Sequence, residues 1–484
     1  MISLTDLIVL VPELFLTGAI CVLLIADLFV TQQRRGLTHF LAIGILLLCI
    51  VLTLRPHSTG GLPAVQMAFG GMFVRDLLAD LLKVSIYVTT AAVFIYAKPY
   101  LMARNMFHGE FYVLCLTAVL GAMFMCSAGN LLIVYLGLEL LSLSSYALVA
   151  LNRDSPLSSE AAIKYFVLGA IASGMLLYGA SMIYGATGTL DLATIHAKAA
   201  AGYDRTLISF GLTFVVVGLA FKLGAAPFHT WMPDVYEGSP TAVTLFISST
   251  PKIAAFGMLY RVLETGLSGL IADWRPMIAV LAFLSLALGN IVAIAQSNLK
   301  RMLAYSTVSH VGFLLLGVLP GTPEGYAAAT FYAVTYAITS TAAFGLIVLL
   351  SRAGFEAEEI DDFKGLNQRS PWYALAMLMV MASQAGVPVW VGFFAKFQVL
   401  KAALQTPGML WLALAGAVFT VIGAFYYLRV IKVMYFDEPK SADRLVLPAD
   451  MPFRFVLSLN GLALLGLGLF GGPLMALCLQ AVSR

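Results

Sequence analysis

The chain has 484 residues, of which 61% are hydrophobic and only 11% are charged, and its mean hydropathy is +0.93. Ordinary soluble domains carry about 25% charged residues. This composition excludes an ordinary soluble enzyme and predicts an integral membrane protein. The net charge of +3 is too small to indicate a nucleic-acid partner.

Fourteen apolar stretches are long enough to cross about 30 Å of hydrocarbon as helices. They begin near residues 7, 37, 77, 111, 130, 160, 206, 240, 275, 301, 325, 371, 408 and 454. The first, "LIVLVPELFLTGAICVLLIADLF", is too long for the core of a signal peptide, so we interpret it as a span. The sequence therefore predicts an all-α fold with a single polytopic membrane domain over residues 1–484.

Two of these spans are interrupted by proline: the seventh contains "FKLGAAPFH" and the twelfth contains "QAGVPVWVGFFAKF". Proline removes a backbone donor, so at membrane depth each site must be a kink or a break. Broken helices five spans apart favour two inverted five-helix repeats. We expect helices 1–3 in 1–110, a first repeat of helices 4–8 in 111–263, a second of helices 9–13 in 275–435, and helix 14 in 454–484.

Lysine and arginine are distributed unevenly between the two sets of alternating loops, with fifteen in one set and eight in the other. The richer set includes Arg352, Lys440 and Arg444. The positive-inside rule places this set in the cytoplasm and both chain termini in the periplasm.

Ionisable side chains inside spans cost about 2.5 to 3.5 kcal/mol on insertion scales, so each one is a candidate functional residue. The strongest candidates lie well inside their spans: Glu139, Lys222, Lys252 and Lys396. The alternatives are a hydrogen-bonded structural carboxylate and lysines that extend to the membrane surface. Burial disfavours the charged form of lysine and a nearby carboxylate favours it, so this set predicts a chain of proton-binding sites.

Three further residues are weaker candidates for proton transfer. Lys164 lies nearer the cytoplasmic end of its span, where its ammonium can reach the surface more easily. His229 follows the break in helix 7, and His310 lies in mid-span. A buried histidine is often an ordinary core residue, but a position inside the membrane favours a proton relay equally.

Lys83 is expected to have a structural role. Asp80 precedes it by three residues and Asp76 by seven, which places the three side chains on one helical face near a membrane boundary. We therefore predict a local ion pair.

No cofactor or metal site is expected in this chain. The five cysteines lie in apolar runs without CxxC spacing. The segment "GLGLFG" (466–471) matches a nucleotide-binding pattern, but it lies inside the last apolar span with no strand before it. We interpret it as a packing motif.

Four longer motifs resemble those of the antiporter-like membrane subunits of respiratory complex I, in order and over essentially the whole chain. They are "NLLIVYLGLELLSL", "FKLGAAPFHTWMPDVYEGSP", "STPKIAAF" and "QSNLKRMLAYSTVSHVGF". Sister subunits L and M usually read "PDAMEGPTPVSALIH" after the broken helix, so "PDVYEGSPTAV" and Lys252 favour a different branch of the family. One departure is "QAGVPVWVGFFAKF", where the family more often has "LAGIPPTAGFIGKF".

The resemblance implies fourteen helices, two inverted repeats and proton pumping driven by NADH oxidation elsewhere in a complex. It implies that Glu139 and Lys222 act as partners and that Lys252 and Lys396 continue a central polar axis. NADH, FMN, iron–sulfur clusters and quinone would bind to other subunits. The expected partners are other membrane subunits, including sister antiporter-like subunits, and the lipid bilayer of the bacterial inner membrane.

Two other functions stay open at this point. A subunit of a multisubunit cation/proton antiporter should carry acidic ligands deep in its spans, where only Glu139 is clearly central. A structural spacer with fixed charges would keep proton pumping intact when Lys222 is replaced.

Overall fold

The structure is a computed structural model that describes residues 4–55, 65–202, 204–351, 354–439 and 451–483. In these ranges the chain is almost entirely helical. The two strands, β1 (Gln66–Ala68) and β2 (Phe73–Arg75), form an antiparallel hairpin between helices 2 and 3. The all-α prediction is confirmed. Arg352, Lys440 and Arg444, which contributed to the orientation, lie outside the described residues.

Helices 1–3 precede the first predicted repeat. They comprise helix 1 (Leu4–Val9 and Val11–Asp27), helix 2 (Gly36–Leu54) and helix 3 (Leu77–Ala103), with a 3₁₀ turn at Gln32–Arg34.

The next five membrane helices correspond to the first predicted repeat. They are helix 4 (Gly109–Cys126), helix 5 (Leu131–Val149), helix 6 (Pro156–Thr187), helix 7 (Arg205–Leu223 and Trp231–Gly238) and helix 8 (Thr241–Ile247 and Thr250–Tyr260). A short helix, Leu192–Ala200, connects helices 6 and 7, and a π-helical turn, Arg261–Gly266, follows helix 8.

The remaining helices complete the bundle. They are helix 9 (Ile271–Ile294), helix 10 (Leu299–Val318), helix 11 (Pro323–Leu350), helix 12 (Pro371–Ala385 and Val391–Leu404), helix 13 (Leu410–Phe436) and helix 14 (Met451–Leu469 and Gly472–Val482). Short helical turns lie at Ser268–Leu270, Ile360–Phe363 and Leu366–Arg369.

Twelve of the fourteen predicted spans are long and apolar enough, within the described residues, to cross a membrane as one helical unit of at least 18 residues. The other two are helices 1 and 12. The main segment of helix 1 has 17 residues, and helix 12 is divided into segments of 15 and 14 residues. The prediction of fourteen spans therefore agrees with the helices observed.

Both predicted breaks are present, and both are built in the same way. The first half of helix 7 ends at Gly224 (φ +83°) and that of helix 12 at Gly386 (φ +86°), a left-handed conformation that glycine adopts without strain. In helix 7 the amides of Gly224 and Ala225 both donate to the carbonyl of Ala220. Beyond each turn a proline, Pro227 or Pro388, prevents the helix from continuing.

Two further interruptions were not predicted. Helix 8 is broken between Ile247 and Thr250, and Pro251 lies in the first turn of the second segment. Helix 14 is broken before Gly472, again with a proline in the first turn of the following segment. Proline suits the first helical turn because its missing amide hydrogen has no intrahelical partner there.

Matching loop contacts support the predicted repeats. Helices 5 and 10 each begin at an asparagine cap, Asn130 and Asn298. Asn130 forms an antiparallel bridge with Asp191, and Asn298 forms one with Glu359. In both bridges the partner lies in the loop before the broken helix, at the same separation along the chain. The boundaries at 111, 263, 275 and 435 stay a prediction.

Small residues bring neighbouring helices into backbone contact. A Cβ added at Gly121 on helix 4 would lie 2.6 Å from the carbonyl oxygen of Gly137 on helix 5, and one at Gly179 on helix 6 would lie 2.5 Å from that of Gly211 on helix 7. Within "GLGLFG", a Cβ at Gly468 would collide with the carbonyl of Val389 in the helix 12 break. The segment is therefore a packing motif, as predicted.

Candidate functional site

Three buried lysines lie at the helix breaks. Lys222 is 5% exposed, Lys252 is 4% exposed and Lys396 is 6% exposed. Lys222 is the last residue but one in the first half of helix 7, and Lys396 lies in the first turns of the second half of helix 12. These ammonium groups need polar partners because a buried, unpaired charge is costly.

Two of these lysines bind the carbonyl oxygens freed by a break. The Nζ of Lys252 donates to the carbonyl of Leu223 at 2.8 Å, at the end of the first half of helix 7. The Nζ of Lys396 donates to the carbonyls of Gln384 (2.7 Å) and Ala385 (3.2 Å), at the equivalent end in helix 12. The negative end of a helix dipole favours a cation at both places.

Lys222 has a different partner. Its Nζ donates to the hydroxyl oxygen of Ser142 on helix 5 at 2.8 Å. Glu139 lies three residues before Ser142 on the same helix and interacts electrostatically with Lys222. The described residues include no ion pair within 4 Å between the two, and Glu139 Oε1 has no hydrogen-bond partner among them. Ser142 therefore binds the lysine directly, while Glu139 acts on it at longer range.

His310 lies between Lys252 and Lys396. Its Nδ1 lies 2.6 Å from the hydroxyl of Tyr332 on helix 11, and its Nε2 lies 3.1 Å from the hydroxyl of Tyr427 on helix 13. The histidine is 7% exposed. Both ring nitrogens have partners, so this histidine can accept a proton on one side and release one on the other.

Two small cavities meet at His310. One, of about 10 Å³, is lined by Lys252, His310 and Tyr332, among others. The other, of about 20 Å³, extends from His310 to Gln384 and Ala395. The second is large enough for one water molecule. The structure thus brings together Lys252, His310 and the surroundings of Lys396, as a proton-transfer axis requires.

The structure places Lys164 away from this axis. Its side chain is 43% exposed and forms ion pairs with Glu160 (2.8 Å) and Asp234 (2.9 Å). Arg301 also contacts Asp234 at 2.8 Å and Glu237 at 2.7 Å. Lys164 therefore belongs to a network of charges at one end of the bundle.

His229 is half-buried beside the helix 7 break. Its ring makes an edge-on contact with Tyr305 at a centroid distance of 6.1 Å. Its Nδ1 has no hydrogen-bond partner among the described residues. The structure does not bring it into hydrogen-bond contact with the three lysines.

The predicted partners of Lys83 are wrong. Its Nζ lies 2.6 Å from Oε1 of Glu13 on helix 1. Asp80 pairs instead with Arg75 of β2 (3.2 Å), and Asp76 pairs with Arg261 after helix 8 (2.7 Å). Spacing along helix 3 places Lys83, Asp80 and Asp76 near one another, but each of them pairs with a side chain from another element.

Sequence reasoning missed Glu13, Ser142, Tyr332, Tyr427 and Gln384. Glu13 could have been found, because it is a carboxylate inside the first apolar run and the cost of burial applies to it as to Glu139. The other four are neutral, so that argument does not single them out.

No group of three or more histidine, cysteine, aspartate or glutamate side chains that could hold a metal ion occurs among the described residues. The polar groups on the axis are lysine, histidine, hydroxyl and amide groups. This arrangement can bind, hold and pass protons.

Comparison with known proteins places the chain in a class. A family model for the transmembrane region of NADH:quinone oxidoreductases and Mrp antiporters matches residues 128–423. A subunit of the Mrp complex from Dietzia sp. has a TM-score of 0.86 at 22% identity and covers 99% of this chain and 97% of its own, which is a likeness of fold. The bundle with broken helices 7 and 12 is thus that of the antiporter-like membrane proteins.

Two further comparisons narrow the class. NADH-quinone oxidoreductase subunit N of Thioalkalivibrio sulfidiphilus is 54% identical over 481 residues, which are 99% of this chain and 98% of the relative. A chain of respiratory complex I from Thermus thermophilus with bound aureothin has a TM-score of 0.81 at 30% identity, covering 96% of this chain and 98% of its own. The chain belongs to the NADH-quinone oxidoreductase subunit N family. The family resemblance of the motifs is confirmed.

Proposed function

We propose that this chain is a proton-translocating membrane subunit of an NADH-quinone oxidoreductase, and that it moves protons through Glu139, Lys222, Lys252, His310 and Lys396. The observation that carries the proposal is that buried lysines occupy both helix breaks and that a histidine with two tyrosine partners lies between them. Lys164 and His229 would then assist proton transfer at the cytoplasmic side of this pathway.

The first step is the loading of a proton on Lys222. Movement of Glu139 toward this lysine stabilises the ammonium, and movement away releases its proton to the neutral amine of Lys252. Moving one charge against about 150 mV requires about 3.5 kcal/mol. A carboxylate brought to about 4 Å from the lysine ammonium interacts with it by about 4 kcal/mol at an effective dielectric constant of about 20, which is free energy of that order.

The later steps follow the cavities. The proton passes from Lys252 to His310, whose ring nitrogens contact two tyrosine hydroxyls, and then to Lys396. The free energy comes from electron transfer from NADH to quinone in other subunits, which would hold the FMN and the iron–sulfur clusters. In this arrangement the chain is one subunit of a translocase in the bacterial inner membrane, packed against sister antiporter-like subunits, with both termini in the periplasm.

A second candidate is a subunit of a cation/proton antiporter. The likeness in fold to an Mrp subunit favours it, but that likeness stands at 22% identity. An antiporter would exchange protons for Na⁺ without NADH, which vesicles without a reductant can detect.

The test replaces Lys222 or Glu139 by alanine in the assembled complex and compares proton uptake into membrane vesicles with quinone reduction. Lys364→Ala is the matched control, because this lysine lies in a loop and pairs with the exposed Asp361. We expect both axis variants to lose proton uptake, whereas the control keeps it. Unchanged uptake in both axis variants would refute the proposal and favour a structural spacer.

A further inference from the structure

Gln384 is a buried side chain with an unused acceptor. It is the last residue but one in the first half of helix 12 and is 3% exposed. Its Oε1 has no hydrogen-bond partner among the described residues. A buried amide oxygen normally accepts a hydrogen bond from the protein or from an ordered water molecule, so we expect a donor near this oxygen.

A cavity beside Gln384 is large enough for a water molecule that could donate to this oxygen. Gln384 lines the cavity of about 20 Å³ together with Ser383, His310 and Tyr332. One water molecule fits such a volume when two or more polar groups hold it. The main-chain carbonyl of Gln384 accepts from Lys396 at 2.7 Å, so this one residue contacts the lysine through its backbone and the cavity through its side chain.

Most other polar groups around the cavity are already engaged. The hydroxyls of Thr335 and Thr339 donate to helix 11 carbonyls at 2.7 and 2.8 Å. The Oγ of Ser383 accepts from the amide of Gly392 at 3.1 Å. Among the described residues that line this cavity, Gln384 Oε1 is the buried polar side-chain atom without any hydrogen bond, and Tyr332, whose hydroxyl is bonded to His310, lines the same cavity.

We infer that Gln384 binds a water molecule that connects the His310–Tyr332 pair with Lys396, and that Gln384 is a positioning residue for this step. The inference rests on the proposed function. The His310 imidazolium gives its Nδ1 proton to the oxygen of Tyr332, the hydroxyl proton of Tyr332 moves to the water, and a water proton moves on toward the neutral amine of Lys396. Each oxygen ends with as many protons as it began with.

The test uses Gln384→Leu in the assembled complex, which removes the acceptor and keeps a similar volume. We expect the rate of NADH-driven proton uptake, per assembled complex, to fall about fivefold to tenfold, the effect of losing about one hydrogen bond. Gln296→Leu is the control, because this glutamine lies at the end of helix 9, where its amide donates to the carbonyl of Val292. A high-resolution map of the wild-type complex should contain water density beside Gln384, and the Leu variant should lack it.

The outcomes separate the two proposals. Normal uptake in an assembled Gln384→Leu complex, or a wild-type map without water at this place, overturns the inference. The proposed function still stands in that case if Lys396→Ala lowers uptake in the same vesicles, and it fails if Lys396→Ala does not. If the Leu variant does not assemble, Gln384→Met, which keeps the unbranched chain, serves in its place and the wild-type map decides.

Discussion

Replacement of Glu13 by leucine should destabilise the protein strongly. Glu13 and Lys83 are each 1% exposed, and the ammonium lies 2.6 Å from the carboxylate, so the two form a buried ion pair. Without Glu13, Lys83 still lies over the face of Phe73, 4.9 Å from the ring centroid, and still interacts electrostatically with Asp76, but it has lost the carboxylate in direct contact with it. Breaking one side of a buried pair costs about 3 to 5 kcal/mol.

The double variant Glu13→Leu/Lys83→Met should recover most of that loss. Replacing a buried ion pair by apolar side chains of similar volume is often neutral or stabilising by about 1 to 4 kcal/mol, because neither charge then needs desolvation. The assay is thermal unfolding of the purified complex, followed by tryptophan fluorescence and by the amount of intact complex on native gels. The order expected is wild type close to the double variant, with both single variants lower. A double variant that loses as much as the sum of the single variants would refute the reasoning, since additive losses indicate independent sites.

Three other predictions concern single contacts. Ser142→Ala removes the hydroxyl that accepts from the helix 7 lysine and should slow proton uptake about fivefold, the effect of about one hydrogen bond. Ser145→Ala should not slow it, because the hydroxyl of Ser145 donates to the carbonyl of Leu141 on its own helix. Gly468→Ala should reduce the amount of assembled complex on native gels because the added methyl collides with the helix 12 break, whereas Gly466→Ala meets open space and should assemble normally. Burial opposes ionisation of Asp76, but its arginine partner outweighs burial and lowers the pKa of this carboxyl below the ordinary value of 3.8. The pair's stabilisation should therefore be complete above about pH 4 and be lost as the pH falls further, and Asp76→Asn should remove this part of the acid sensitivity of thermal unfolding.

The membrane helices and the two main breaks were predictable because they depend on local properties. A run of about 20 apolar residues has few alternatives to a spanning helix, and proline after glycine ends a helix wherever it occurs. Helix 8 carries only part of this signal, because Pro251 lies in the first turn of its second segment but no glycine precedes it, and this break was not predicted.

The partners of the charged residues were not predictable in the same way. The lysines were found because burial of a charge has a cost that the sequence reveals without any knowledge of neighbours. Which group meets each lysine depends on helix packing, and the partners Ser142, Leu223 and Gln384 come from other helices or from main-chain atoms. Lys83 illustrates the limit, because spacing along helix 3 indicated Asp80 and packing supplied Glu13.

The helix breaks and the buried lysines supply each other with hydrogen-bond partners. Carbonyl oxygens freed inside a membrane need donors, and an ammonium there needs acceptors, so Lys252 and Lys396 bound to broken-helix carbonyls satisfy both requirements. Lysine is suited to this position because its neutral amine still carries two N–H donors, so the contact with the carbonyl can persist after the third proton has left. Arginine could fill the same space but does not give up a proton in proteins. A break capped by lysine can therefore exchange a proton without having to open. Lys222 binds a hydroxyl instead of a freed carbonyl, so in the proposed mechanism it is the lysine whose proton occupancy the charge of Glu139 sets.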